Sequence, residues 1–185
     1  MKQTNRAQAQ VRPLPTGRDE VLIESVLPGV NAEDAWFHAS TERGINDELR
    51  PLLRMHMPKE ATWARLTDVP VGVPAGRCRI CLAGLVPVDY DDLLLEEVGP
   101  GMRFRERSSM RTIRMWEHER TITQLPDGAL VRDRIVFEVL PRLVRTRSVH
   151  RALVGAVFRH HHRRLRRVIG PRLAELSSAA TGRPA

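Results

Sequence analysis

Aromatic side chains and lysine are both scarce in this 185-residue chain, and each scarcity narrows what the protein can do. Only 4% of the residues are Phe, Trp or Tyr, which argues against a platform for stacking nucleic-acid bases. Lysine occurs only at Lys2 and Lys59, although Lys and Arg together number 30. Such a strong preference for arginine over lysine is typical of a GC-rich genome. The net charge of +8 is therefore not sufficient evidence for an anionic partner, and nucleic acid is not expected.

Long hydrophobic runs are also missing from the sequence. No apolar run approaches the ~18 residues of a membrane-spanning helix, and the N-terminus has no apolar stretch typical of a secretory signal. We therefore expect a cytoplasmic protein. The chain length and an apolar fraction of 42% fit one globular domain. We place that domain at residues 19–176, between flexible tails at 1–18 and 177–185.

Cysteine occurs twice, at Cys78 and Cys81, in the run RCRIC. The spacing is that of a redox or zinc motif, but the surrounding residues predict a strand, on which positions three apart face opposite sides. No further pair of ligands follows at zinc-site spacing. We expect buried thiols, with no metal and no cofactor.

Hydrophobic periodicity predicts an α+β chain. Apolar and polar residues alternate in EVLIESV (20–26), which predicts a first strand. Two short helices are predicted after it, one near AEDAWFHAS with Asn31 as N-cap and one near INDELRPLL with Asn46 as N-cap. Gly44 is expected to end the first of these helices. Further strands, separated mostly by Gly/Pro turns, are predicted at 52–57, 76–85, 92–98, 102–109, 113–125 and 129–140.

The period changes after Pro141, where a long helix is predicted to close the chain. Its apolar arc is wide, so the helix is expected to be covered on more than one side. One face carries Val149, Leu153, Ala156 and Val157, with His160 on the same stripe, and beside it lie Val154, Phe158, Leu165 and Val168. The consecutive residues His160 to His162 point about 100° apart and cannot hold one metal ion together. Gly170 and Pro171 predict a break or kink.

Charge decides the register of the last hairpin. A two-residue loop at Asp127 and Gly128 would set His118 opposite Phe137 and leave glutamates beside arginines on the outer face. A one-residue slip would put like charges opposite each other, and each such pair would destabilise the hairpin by up to ~1 kcal/mol. The favoured register turns these residues of three strands inward: Met102, Phe104, Glu106, Ser108, Trp116, His118, Arg120, Asp133, Ile135 and Phe137.

Four of these inner residues are ionisable: Glu106, His118, Arg120 and Asp133. Buried charges must be paired, because an unpaired one costs several kcal/mol. Two interpretations stay open at this point. The group is either a structural network near the open end of the sheet or a set of side chains that orients the polar end of a ligand.

Motifs on the last two strands and the closing helix resemble those of the START-like, or SRPBCC, superfamily, which includes the polyketide cyclase/dehydrase families. The closest likeness is to its bacterial ligand-binding branch. The motifs are W-x-H-x-[HR] (Trp116, His118, Arg120), D-x-[IV]-x-[FY] (Asp133, Ile135, Phe137) and an R-H-x-x-L-like stretch from Arg159 to Leu165.

The resemblance implies a helix-grip fold, in which a curved antiparallel sheet of about seven strands wraps around the long C-terminal helix. It also implies a cavity between the sheet and that helix for a small, largely apolar or amphipathic molecule. The residues expected to line this cavity are Met102, Phe104, Glu106, Trp116, His118, Arg120, Asp133, Ile135, Phe137, Val154 and Phe158.

Two other functions remain open from the sequence. In a cyclase- or dehydratase-type enzyme, His118 would be the general acid or base, oriented by Glu106 or Asp133. In a membrane- or nucleic-acid-associated protein, the basic helix end would form the contact through Arg163, Arg164, Arg166 and Arg167.

Overall fold

The computed structural model describes residues 9–15, 17–58, 61 and 63–181, and eight strands and four α-helices lie within them. Two 3₁₀ turns (Leu66–Asp68 and Pro141–Thr146) and a π-helical stretch (Leu165–Ile169) complete the secondary structure of the described part. The strands are β1 Ala9–Pro13, β2 Asp19–Pro28, β3 Leu53–His56, β4 Pro74–Leu82, β5 Val86–Val98, β6 Met102–Ser108, β7 Ile113–Leu125 and β8 Gly128–Val139. The helices are α1 Ala32–Ala39, α2 Glu42–Leu49, α3 Arg147–Arg164 and α4 Gly170–Thr181.

All eight strands form one antiparallel sheet in the order β1-β2-β8-β7-β6-β5-β4-β3. The helix α3 packs against β2 and β1, so the predicted helix-grip architecture is confirmed. The strand missing from the prediction is β1, which pairs with β2 and which the sequence analysis placed in a flexible tail. Residues 1–8 of that tail and residues 182–185 at the other end lie outside the described residues.

The two short helices begin at capped residues. The Asn31 side chain accepts a hydrogen bond from the backbone N–H of Glu33 and caps α1 as predicted. The cap of α2 is Thr41 and not Asn46, so Gly44 lies inside α2 instead of ending α1. Asn46 is buried within α2, where its amide exchanges two hydrogen bonds with the backbone of Met55 and ties the helix to β3.

The register of the β7–β8 hairpin differs from the predicted one by two residues. Leu125 pairs with Gly128 across a loop of Pro126 and Asp127, so that His118 lies opposite Ile135 and not Phe137. The proline explains this difference. In the predicted register Pro126 would pair with Ala129 without an N–H to donate, whereas its φ near −65° suits the first central position of the observed turn.

A two-residue shift leaves each side chain on its original face, because the side-chain period of a strand is two. The predicted inner and outer faces are therefore confirmed. On the outer face Arg105 lies opposite Glu119, and Arg107 lies opposite Glu117. These pairs of opposite charges lie on the outer face, so the alternate side chains of the same strands face the helices.

The face that α3 buries is not the predicted stripe. Val149 and Leu153 are 55% and 60% exposed, and Phe158 is buried instead, against Trp116 and Phe137. The helix continues through Gly170, with its hydrogen bonding locally π-helical over Leu165–Ile169. The side of α3 that faces the sheet therefore carries His161 and His162, both of which are buried, and not His160.

Candidate functional site

The centre of the inner face is an arginine whose hydrogen bonds are taken up by two carboxylates. Arg120 on β7 donates two hydrogen bonds of 2.7 Å to Asp133 on the neighbouring strand. It donates two more, of 2.9 and 2.8 Å, to Glu48 at the end of α2. The nearby Arg120 guanidinium outweighs the effect of burial and holds the pKa of Glu48 below its usual value. Arg120 thus joins the sheet to α2, with Nε, Nη1 and Nη2 all bonded to protein.

Asp133 is the hub of this network. Besides Arg120, its carboxylate contacts His118 Nε2 at 2.9 Å and His162 Nε2 of α3 at 2.9 Å. The other ring nitrogen of His162 lies 2.9 Å from the Ser25 hydroxyl on β2. Burial alone would raise the pKa of Asp133, but Arg120 and the two histidines hold it well below the usual value. The carboxylate therefore stays charged and ties α3 to β2, β7 and β8.

His118 lies between Asp133 and a second carboxylate, Glu106 on β6. Its Nδ1 is 3.7 Å from Glu106, which also accepts a 2.8 Å hydrogen bond from the Trp116 indole. Burial alone would lower the pKa of His118, but its bonds to Asp133 and Glu106 outweigh this and raise the pKa to about 9. The imidazole is therefore protonated at neutral pH. The side chains of His118 and Glu106 remain 13% and 12% exposed, so open space borders them.

Polar groups next to Glu106 lack hydrogen-bond partners within the described residues. Asp91 on β5 is 1% exposed and Ser108 on β6 is 8% exposed, and neither Asp91 Oδ1 nor Ser108 Oγ has a hydrogen bond of good geometry, although the Ser108 hydroxyl is close enough to Asp91 to act on its pKa. Burial, reinforced by the negative charge of Glu106, raises the pKa of Asp91 to about 8. Asp91 is therefore mostly a neutral acid at pH 7, with one O–H to donate.

A third group without partners lies on the helix side of His118. His161 of α3 is buried with neither ring nitrogen hydrogen-bonded within the described residues. Burial lowers its pKa to about 4, so the ring is neutral. Its ring is 5.3 Å from that of Phe158, which is 5.2 Å from His118, which in turn is 5.1 Å from Phe104. These four rings form a continuous edge-to-face chain from helix to sheet.

The structure brings most of the predicted lining residues together. Val154 packs against one buried cluster that contains Trp116, Ile135, Phe137 and Phe158. Phe104 joins this group through the ring of His118. Met102 lies apart from it, packed against a different cluster that contains Ile122 and Leu165.

Much of the polar site was not predicted from the sequence. Glu48 is remote in sequence from Arg120 and carried no motif. His162 lies in the Arg159–Leu165 stretch singled out from the sequence, but which of its three histidines faces the sheet depends on helix packing. Asp91 belongs to an acidic run that is typical of solvated strand edges, and only its alternation with Asp92 could have marked it as inward. Ser108 was predicted to face inward but was not recognised as a site residue.

Both cysteines are buried free thiols, as expected. The β-bulge between Ile80 and Cys81 changes the simple alternation, so Cys81 is buried together with Cys78. Burial, with the charge of Asp91 nearby, raises the pKa of Cys78 to about 12. Its thiol lies 3.8 Å from the sulfur of Met57 and is not poised for redox chemistry.

Two open cavities lie near the β4 end of the sheet, away from His118. One, of about 350 Å³, is lined by residues that include His56, Trp63 and Arg79, and the other, of about 540 Å³, shares Trp63 and adds Pro70. Neither is lined by the inner-face polar residues described above.

Comparison with solved structures defines the class of fold. A Chromobacterium violaceum protein superposes with a TM-score of 0.60 at 15% identity, covering 82% of this chain and 98% of its own. A Thermus thermophilus protein superposes with a TM-score of 0.57 at 16% identity, and the match covers 88% of this chain and 99% of that protein. The Zhui aromatase/cyclase from a Streptomyces species superposes with a TM-score of 0.53 at 11% identity, and the match covers 83% of this chain and 98% of that protein. These likenesses concern the fold, which is START-like as the motifs predicted.

The chain belongs to the domain family of unknown function DUF8410, whose model matches residues 25–169. The match spans β2 to the end of the π-helical stretch and includes the residues of the inner polar network. No curated protein matches the sequence. Over the described part of the chain, no helix combines the length and apolar character needed to cross a membrane.

Proposed function

We propose that this protein binds a small, largely apolar molecule with an uncharged polar end, between the inner face of the sheet and α3. The observation that carries the proposal is a group of buried polar atoms near His118 without a hydrogen bond of good geometry within the described residues: Asp91 Oδ1, Ser108 Oγ and both ring nitrogens of His161. Leaving such groups unbonded costs about 1–3 kcal/mol each, and a bound hydroxyl or carbonyl would recover that cost. The partly accessible His118 and Glu106 beside them support the same location.

The charge state of these groups favours a neutral ligand. At pH 7 Asp91 is mostly protonated, His161 is neutral and Ser108 is uncharged, so each can both donate and accept a hydrogen bond. The positive charge of His118 is already balanced by Glu106 and Asp133. A ligand carboxylate would add an unpaired negative charge beside these acids, which is unfavourable in a buried site.

The apolar part of the ligand would contact the ring chain. Phe104, Phe158 and Trp116 surround His118, and Val154 adds aliphatic surface from α3. Aromatic faces favour flat or ring-containing molecules through edge-to-face and stacked contacts. Arg120 is assigned a structural role in this proposal, because its donors are occupied by Glu48 and Asp133.

A matched pair of probes tests the proposal. 2-Naphthol and 2-naphthoate share a ring system and differ in whether the polar end is charged at pH 7. We expect 2-naphthol to quench tryptophan fluorescence saturably, and Ser108→Ala to weaken its binding about fivefold to tenfold through loss of one hydrogen bond. Ser109→Ala, on the neighbouring residue, is the control and should bind as the wild type does. Equal affinity for naphthoate, or equal loss in both serine variants, would contradict the proposal.

A second candidate function rests on the geometry of His118. A protonated, partly accessible imidazole held between two carboxylates is suited to general-acid catalysis. In a dehydratase reaction on a β-hydroxy carbonyl compound, His118 would protonate the departing hydroxyl, which leaves as water, while Glu106 would accept the α-proton. A rate that falls above about pH 9 and is lost in His118→Gln, with the fold intact, would favour this function. Unchanged turnover in that variant would exclude it.

A further inference from the structure

The positive charge of this protein is concentrated in one segment. Residues 139–174, which include α3 and the beginning of α4, contain ten arginines and no Asp or Glu. That leaves 20 basic against 22 acidic residues in the rest of the chain, a net charge there of −2. Codon bias can explain the choice of arginine over lysine, but it does not explain why this segment contains no Asp or Glu.

The outer side of α3 carries an apolar stripe. Val149 and Leu153 are 55% and 60% exposed, and Ala152 and Ala156 are exposed beside them. Because residues three and four apart are neighbours on a helix surface, these four side chains lie along one side. The opposite side of the same helix buries Phe158 against the sheet. The stripe therefore makes no contribution to the ligand site proposed above.

Exposed arginines bracket this stripe at both ends. Arg145 precedes it, and Arg163 and Arg167 follow it at helical spacing. Within the described part of the chain, none of the three guanidinium groups is in an ion pair. On the inward side of α3, by contrast, Arg147 and Arg151 bind Asp19 at 2.6 and 3.2 Å. The outer arginines are thus free to meet an external anion.

We propose that the outer side of α3 docks onto an anionic lipid membrane surface. An interfacial helix of this kind inserts apolar side chains between headgroups while its basic residues meet lipid phosphates. Nucleic acid fits this face less well, because the centre of the face is apolar, whereas contacts to a phosphate backbone need donors there. In this arrangement α3 would face the membrane on one side and the bound ligand on the other.

Vesicle co-sedimentation of the full chain tests the proposal. We expect binding to mixed phosphatidylglycerol–phosphatidylcholine vesicles and not to phosphatidylcholine alone. The triple variant Arg145→Gln, Arg163→Gln, Arg167→Gln should bind on the order of a hundredfold more weakly, since each arginine at such a surface contributes about fivefold. The control triple variant Arg43→Gln, Arg79→Gln, Arg111→Gln removes the same charge from exposed positions elsewhere and should retain binding.

A second pair of variants tests the apolar stripe. Leu153→Ser should weaken vesicle binding by about tenfold, because one buried leucine side chain is lost from the interface. Leu85→Ser, at a position 84% exposed on the far end of the sheet, should leave it unchanged. Equal losses in both arginine triples, unchanged binding in the α3 triple, or stronger arginine-dependent binding to duplex DNA than to the vesicles would each overturn the proposal. Far-UV circular dichroism melts, expected to match the wild type, show that the exposed substitutions leave the fold intact.

Discussion

At the scale of single residues, the inner face combines a network in which every charged group has protein partners with polar groups that lack hydrogen bonds. Arg120 and Asp133 have all of their charge balanced by protein partners, and they hold the sheet, α2 and α3 in one arrangement. On β5 and β6, by contrast, Asp91 Oδ1 and Ser108 Oγ are buried without a hydrogen bond of good geometry within the described residues. Native proteins rarely leave such groups unbonded, and where they do the site is a candidate for function.

Removing the central arginine should destabilise the protein strongly. Arg120→Ala leaves Glu48 and Asp133 as buried, unpaired carboxylates, so we expect a loss of about 3–5 kcal/mol in the free energy of unfolding. Urea denaturation measures this loss. Arg132→Ala is the matched control, because Arg132 pairs with Glu24 at the exposed surface, where such pairs contribute about 0–1 kcal/mol. A similar small loss in both variants would show that the Arg120 network is not structural.

Stability should fall as the pH rises through neutrality, because the folded state holds two protons that the unfolded state releases. The pKa of Asp91 rises from 3.8 to about 8 on folding, so the stability that this group contributes declines between these values. Below pH 6.5 His161 acts in the opposite direction, because its pKa is lowered to about 4 on folding, and the net decline therefore begins near neutrality. The pKa of His118 rises from 6.5 to about 9, which extends the decline to higher pH.

Asp91→Asn removes the larger of these two effects. We expect it to raise the free energy of unfolding at pH 7 by roughly 2–4 kcal/mol and to have little effect near pH 4. Asp92→Asn, at an exposed ion pair with Arg77, is the control and should not flatten the pH profile. An unchanged profile in Asp91→Asn would mean that this carboxyl is charged in the folded protein.

At the scale of elements, alternation and turn residues predicted the strands of the sheet closely, and β7 was predicted at its observed bounds. The hairpin register was not predicted correctly, because the predicted pairing of Pro126 with Ala129 did not take account of the N–H that proline lacks. The buried face of α3 was predicted in part: Val154 and Phe158 face the sheet as expected, whereas Val149 and Leu153 are exposed. Its sequence is amphipathic on two sides, and only packing against β2 selects which side becomes buried.

The β8 end of this hairpin requires glycine. Gly128 has a φ of +149°, and a Cβ atom there would lie 2.2 Å from the carbonyl oxygen of Leu27 on β2. We therefore expect Gly128→Ala to cost about 2–4 kcal/mol of stability by forcing β2 and β8 apart. Thermal denaturation measures the effect, with Gly99→Ala as the control at a turn without a positive φ. A melting temperature equal to that of the control would contradict the observed β2–β8 register.

At the scale of the whole molecule, the START-like class could be predicted from the order of elements and the inner-face motifs. The site could be predicted only in part. His118 and Glu106 lie on the strands that carried the pattern, whereas Glu48, His161 and His162 reach the site from helices whose orientation depends on tertiary packing. Arg120 was expected to meet a ligand, but its four hydrogen bonds to protein favour a structural role.

The central claim is that an uncharged polar group binds at Asp91 and Ser108 while its apolar part contacts the ring chain. A crystal structure of the protein in complex with 2-naphthol tests this claim most directly. We predict the naphthol oxygen within hydrogen-bonding distance of Ser108 Oγ or the Asp91 carboxyl, with its rings against Phe104 and Phe158. Naphthol bound instead in the open cavities beside Trp63, with Asp91 and Ser108 uncontacted, would contradict the account.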